Sequence, residues 1–140
     1  MSRSALMRIA HPLSTVLGMI VIVAVLWQIL PREKFSSNTD LVGQGKPVMV
    51  MLRDPALTAG PLVMEYMQTV YPEYEDQMVF LVVHTTNRIG ADFQNEQGVT
   101  DGQLVLFDAD GRRLGRANPP DSAETLRRFI NRTLEQNNGN

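Results

Sequence analysis

Two histidines and no cysteine are the first facts that bear on chemistry. Without sulfur there is no thiolate nucleophile, no disulfide, no iron–sulfur cluster and no cysteine zinc site. His84 stands beside Thr85 and Thr86. A general base needs a nucleophile on one side and an orienting carboxylate on the other, and no such signature surrounds it. His84 therefore reads as a structural or surface residue, and His11 as a residue at a membrane interface. Asp108-Ala109-Asp110-Gly111 has the opening spacing of a calcium loop. The third ligand and the distal glutamate are missing, so it reads as a turn. Met49, Met51, Met64, Met67 and Met78 are spaced like core residues rather than like a thioether copper site. No catalytic residue, cofactor, metal ligand or small-molecule substrate is expected.

Charge narrows the partners. The 13 basic and 15 acidic side chains give a net charge of −2, so no overall basic field exists to hold nucleic acid. Glu73, Glu75 and Asp76 form an acidic cluster, while Arg112, Arg113, Arg116, Arg127, Arg128 and Arg132 make the C-terminal third basic. Solvated faces explain both. The sharper alternative is a polarised docking surface for a partner.

Residues 13–30 read LSTVLGMIVIVAVLWQIL, with Ser14, Thr15 and Gln28 as the only polar side chains. A helix of that length is on the order of 27 Å long, enough to cross the hydrocarbon core. A transmembrane helix is expected there, so the lipid bilayer is an expected partner. The flank 1–12 carries Arg3 and Arg8 and no acid; the flank after the span carries Arg32 and Lys34 with Glu33. Basic residues balance, so orientation rests on the short N-terminal flank: N-terminus cytoplasmic, remainder exported. No small-x-small cleavage site follows Leu30, which favours a retained signal anchor. Trp27 fits an interfacial anchor, and Ser14 with Gly18 forms a small-xxx-small pair that lets another helix approach.

The elements that must position any site follow. Residues 31–45 read as a polar tether, 46–136 as one domain and 137–140 as a fraying polar tail. Apolar runs predict a strand covered on both faces at 48–52, a second buried strand at 78–83 and a third strand at 104–107. Pro61 opens a helical pattern that Pro72 stops, residues 91–97 predict a short helix ended by Gly98, and the turn at 108–111 leads into a strand over 114–117. Asp121 or Ser122 caps a last helix, with Glu124 at capping-box spacing from Asp121. Its apolar face is Leu126, Phe129, Ile130, Thr133 and Leu134. This order implies an α/β fold in which a parallel pair is extended by an antiparallel hairpin.

That order over 46–136 resembles the thioredoxin-like family. Ala59-Gly60-Pro61-Leu62 stands between the first strand and the first long helix, where the family carries Cys-Gly-Pro-Cys. Gly60 and Pro61 match; Ala59 and Leu62 fill the sulfur positions. Gln103 to Phe107, followed by Asp110-Gly111-Arg112, looks like the family's hydrophobic strand, turn and closing strand. Asp101-Gly102 stands where the family places a cis-proline. The resemblance implies a central mixed sheet flanked by helices, but its oxidoreductase activity needs a thiolate and a resolving thiol that this chain lacks. Cysteines placed at 59 and 62 are expected to form a disulfide, with one thiol titrating below the ordinary ~8.5. The leading expectation is a redox-inactive, inner-membrane-anchored domain on the periplasmic side. It would act as an accessory or assembly subunit of a larger membrane complex, for example a respiratory or photosynthetic one. A tethered chaperone or adaptor for exported proteins is the alternative, and a non-thiol enzyme the third reading.

Overall fold

Three apolar runs become neighbouring strands because each buries side chains on both faces. The computed structural model describes residues 15–26 and 35–139. They divide into one unit that ends at Glu33 and a second that begins at Lys34. In the second unit, β1 (Val48–Arg53), β2 (Val79–His84), β3 (Leu104–Phe107) and β4 (Arg113–Ala117) form one sheet in the order β2-β1-β3-β4. β1 and β2 are parallel; β3 is antiparallel to both β1 and β4. This is the expected mixed α/β arrangement. Met49 and Met51 point to one side, against Val63 and Met67 of α1 (Ala59–Tyr74) and Leu126 and Ile130 of α3 (Ala123–Asn138). Val48, Val50 and Leu52 point to the other, toward Phe93 of α2 (Arg88–Gln97) and Val99. Alternation along a strand with cover on both faces accounts for the unbroken apolar sequence.

Several boundaries shift, each for a physical reason. α1 starts two residues before Pro61 and continues through Pro72 to Tyr74. Pro72 lies in the last turn, so its missing N–H removes one bond near an end that closes anyway through Glu75 N–H to the Tyr71 carbonyl, 3.0 Å. α2 starts at Arg88 because the Asn87 side chain accepts the Gly90 N–H at 2.9 Å, and it ends on Gly98 at φ 65°. α3 is capped by Ser122, which accepts the Thr125 N–H at 3.1 Å. The Asp121–Glu124 box does not form: Asp121 accepts from the Thr125 hydroxyl, and Glu124 turns to Arg127. Residues 137 and 138 belong to α3 rather than to a frayed tail.

The tether is the largest correction. Phe35, 7% exposed, packs edge-on against Tyr71 with ring centroids 5.5 Å apart and lies 6.0 Å from Phe80. Ser36 bridges Leu81 in parallel, and its carbonyl accepts the Val82 N–H at 3.0 Å. Further on, the Gly45 N–H reaches the Ala109 carbonyl at 3.0 Å. Residues 35–45 are therefore packed onto the folded domain rather than forming a free tether ahead of Lys46; β2 is an edge strand whose outer backbone groups need partners.

In the first unit, residues 15–26 are helical with exposed apolar side chains. Among the described residues no helix is long and apolar enough to cross a membrane. The expected span 13–30 is described only over 15–26; His11, Ser14, Trp27 and residues 31–34 lie outside the described residues.

Candidate functional site

β1, the start of α1 and the turn before β3 meet at one end of the sheet, and the chain places its one buried ion pair there among the described residues. Thr58 precedes α1 without making a side-chain cap bond. The opening N–H groups of a helix need an acceptor and carry the positive end of its dipole. Asp101 supplies it from the far side of the sequence. Its side chain is 2% exposed, and Oδ2 accepts the Gly60 N–H at 2.8 Å. Oδ1 accepts the Asp54 N–H at 2.8 Å and Nη1 of Arg53 at 3.3 Å. All three partners are donors, so the site requires a group that only accepts.

Two glycines permit this. A Cβ on Gly60 would overlap the Asp101 carboxylate and the Arg53 side chain. Gly102 sits at φ 76°, where a Cβ would also stand 3.1 Å from that of Ala59 and 3.2 Å from Pro119. The Gly102 N–H donates to the Leu52 carbonyl at 2.8 Å. Asp101-Gly102 thus ties the end of β1 to the first turn of α1.

Arg53 extends the clamp. Its Nη1 also donates to the carbonyls of Asp54 and of Leu57, the latter at 3.1 Å. Asp54 accepts the Ala56 N–H on Oδ1 at 2.9 Å and the Leu57 N–H on its carbonyl at 3.0 Å. The loop is held by its own turn and by a nearly buried guanidinium, 16% exposed. What it presents is apolar: Leu57 is 51% exposed and Leu62 is 48% exposed, with Pro61 also exposed. Ala59 is half-buried beneath them. Of the arrangement's two carboxylates, Asp101 is engaged with Arg53 and the backbone and Asp54 with the backbone alone; the Arg53 guanidinium is engaged with Asp101 and two carbonyls.

The other expected positions are distributed through the fold. Arg127 makes three contacts of 2.7 to 2.9 Å with Glu73 and one of 3.4 Å with Glu124. The hydrogen bond from Arg127 holds the Glu73 carboxyl below its ordinary range. Arg112 pairs with Asp108 at 2.8 Å, Arg128 reaches the Thr125 hydroxyl at 3.1 Å, Arg113 reaches Gln97 at 3.4 Å and Arg116 reaches the Gly98 carbonyl at 3.0 Å. Arg132 is exposed on α3 and has no polar partner among the described residues. Asp108 is a turn residue as expected: its Oδ1 accepts the N–H groups of Asp110 and Arg112 at 2.9 and 2.8 Å. The Arg112 backbone bond, before that residue's side chain, lowers the Asp108 pKa. Met49, Met51, Met67 and Met78 are buried core residues, and Met64 packs against that core. His84 ends β2, half-buried. Among the described residues no group of three histidines, aspartates or glutamates is placed to hold a metal ion. Gly18 lies in the 15–26 helix with no described atom within 4 Å of where its Cβ would stand.

Sequence reasoning named Asp101 only as a residue standing in place of a proline, and it passed over Arg53 and Leu57. One signal was available: Arg53 ends an otherwise wholly apolar strand. Its partner lies 48 residues away. Compared with known proteins, the chain matches no family model and no curated sequence.

Proposed function

We propose that this chain is a non-catalytic, membrane-anchored thioredoxin-like protein that serves as an accessory or assembly subunit of an inner-membrane complex. The observation that carries the reading is the Asp101 carboxylate at the start of α1. In a thioredoxin-like site the corresponding helix end favours a thiolate; here a fixed carboxylate holds the place, and Ala59 and Leu62 supply no sulfur. The strand order β2-β1-β3-β4, with α1 following β1, supports the resemblance. What is left at that end is a rigid loop presenting Leu57 and Leu62. Apolar side chains held outward on a fixed backbone suit protein binding, because little ordering entropy remains to be lost on docking. The anchor in this reading is the apolar segment 13–30, its N-terminus is cytoplasmic, and the domain is periplasmic. Bilayer lipid and the other subunits of the complex are its partners.

The test is affinity purification of the full chain from membranes in mild detergent, beside Leu57→Asp and Leu62→Asp. Stable co-purification of a defined membrane complex, lost in these variants while the protein stays folded and membrane-bound, is the expected result. Partners captured only after crosslinking would favour the transient chaperone or adaptor. Retention of the same partners by both variants would move the contact elsewhere, with Gly18→Leu as the next variant. A reporter enzyme active only outside the cytoplasm, fused after Asn140, is expected to be active; activity only from a cytoplasm-dependent reporter reverses the orientation.

A further inference from the structure

The two edges of the sheet are treated differently. The β2 edge is covered by the chain itself, through Ser36. The β4 edge is open: among the described residues no segment pairs with its outer side. An exposed strand edge offers a row of backbone donors and acceptors to any extended chain, so what flanks it decides which chain is admitted.

A bulge sets those flanks. Leu106 faces Gly115 and Phe107 faces Arg113, leaving Leu114 without an opposite residue. The extra residue shifts the alternation. Leu114 packs toward the α1 and α3 core, and a Cβ on Gly115 would stand 3.3 Å from Thr133 of α3. Arg113 and Arg116 both fall on the α2 side, beside Gln97 and Gly98. On the opposite side, α3 carries the exposed Arg132 next to Thr133. Arg113 and Arg116 donate to an amide oxygen and a backbone carbonyl, both neutral. Among the described residues none of the three arginines is paired with a carboxylate.

We infer that the β4 edge is a docking site for an extended acidic segment of a partner protein, added to the sheet as a fifth strand. Backbone pairing along Arg113–Ala117 holds the segment. Its carboxylates on one face meet Arg113 and Arg116, and those on the other meet Arg132. A second copy of this chain is a poor occupant, because edge-to-edge pairing would bring like charges together. This surface is separate from Leu57 and Leu62, so it stands or falls independently of the contact proposed there.

The probe is a fluorescent peptide of alternating valine and glutamate, titrated onto the full chain in detergent micelles, with the valine–lysine peptide as its counterpart. Saturable binding of the acidic peptide alone is expected, weakened by salt and accompanied by amide shifts over residues 113–117. Arg113→Glu with Arg116→Glu should weaken it by roughly tenfold or more. Those two arginines also contact the end of α2, so Arg132→Glu, which breaks no hydrogen bond or ion pair among the described residues, serves as the second variant and should weaken binding with little change in Tm. The inference is overturned by equal binding of the two peptides, by shifts confined to Leu57 and Leu62, by wild-type affinity in both variants, or by a dimer formed through β4.

Discussion

Asp101→Ala isolates the clamp that holds α1 to β1. The substitution removes an acceptor from two backbone N–H groups and from Arg53. Breaking a buried ion pair costs about 3–5 kcal/mol, and an orphaned buried donor about 1–3 kcal/mol. Arg53 keeps its bonds to the carbonyls of Asp54 and Leu57, which places the loss at the lower end, about 3 kcal/mol. A domain of about 100 residues loses ~4–8 °C of Tm per kcal/mol, so a fall of about 12–24 °C is expected. Asp101→Asn keeps the shape and tests the chemistry. Its amide must turn a donor toward one of three donors and forfeits the ion pair, for a loss of about 2 kcal/mol. Thermal unfolding of the full chain in detergent, followed by circular dichroism, reads both losses. Hydrogen exchange at the Gly60 and Asp54 amides reads the local opening that must accompany them. If both variants lose less than about 1 kcal/mol and those amides exchange as in the wild type, the carboxylate is not the acceptor described and the reasoning fails.

Three further outcomes follow from the same geometry. In Ala59→Cys with Leu62→Cys, the Asp101 carboxylate beside the start of α1 offsets the helix dipole, so the first thiol should titrate at or above ~8.5, against the sequence-based expectation of a lowered value; adding Asp101→Asn should lower it, as followed by thiolate absorbance. Gly90→Ala would drive its Cβ into the His84 carbonyl, which is backbone and cannot swing aside, so a loss of about 1–3 kcal/mol or failure to fold is expected in a denaturant titration. Asp108 has a lowered pKa in the fold, so the unfolded chain binds more protons: its contribution is present above the unfolded carboxylate range and lost as pH falls through the folded value. Tm measured from about pH 5 down to about pH 2 should fall, and Asp108→Asn should flatten part of that slope while lowering Tm at neutral pH.

The strands were legible because their neighbours on both faces are apolar, which leaves an unbroken run in the sequence at Val48, Val79 and Leu104. The turn at Asp108 was legible because an aspartate side chain folds back on its own N–H groups within four residues. What escaped was tertiary. Phe35 sits among Ser, Asn and Lys, and its burial depends on Tyr71 and Phe80, which no local pattern reveals. Asp101 looked like a lost proline because its three donors come from β1, the following loop and α1. Arg127 looked like part of a basic face until Glu73, 54 residues away, took its guanidinium. Local chemistry could be read along the chain, whereas the clamp is a meeting of segments.

The seating of Phe35 changes how the domain bears load. A pull on the chain upstream reaches the aromatic pocket of Tyr71 and Phe80 first, and the Ser36 bridge next, before it reaches β1 at the centre of the sheet. The pocket works as strain relief on a cable. Drawing Phe35 out breaks no pairing of β1 with β2 or β3. Pulling on the N-terminal segment should therefore give a small early yield, well below the force that shears the sheet, and Phe35→Ala should abolish that yield alone.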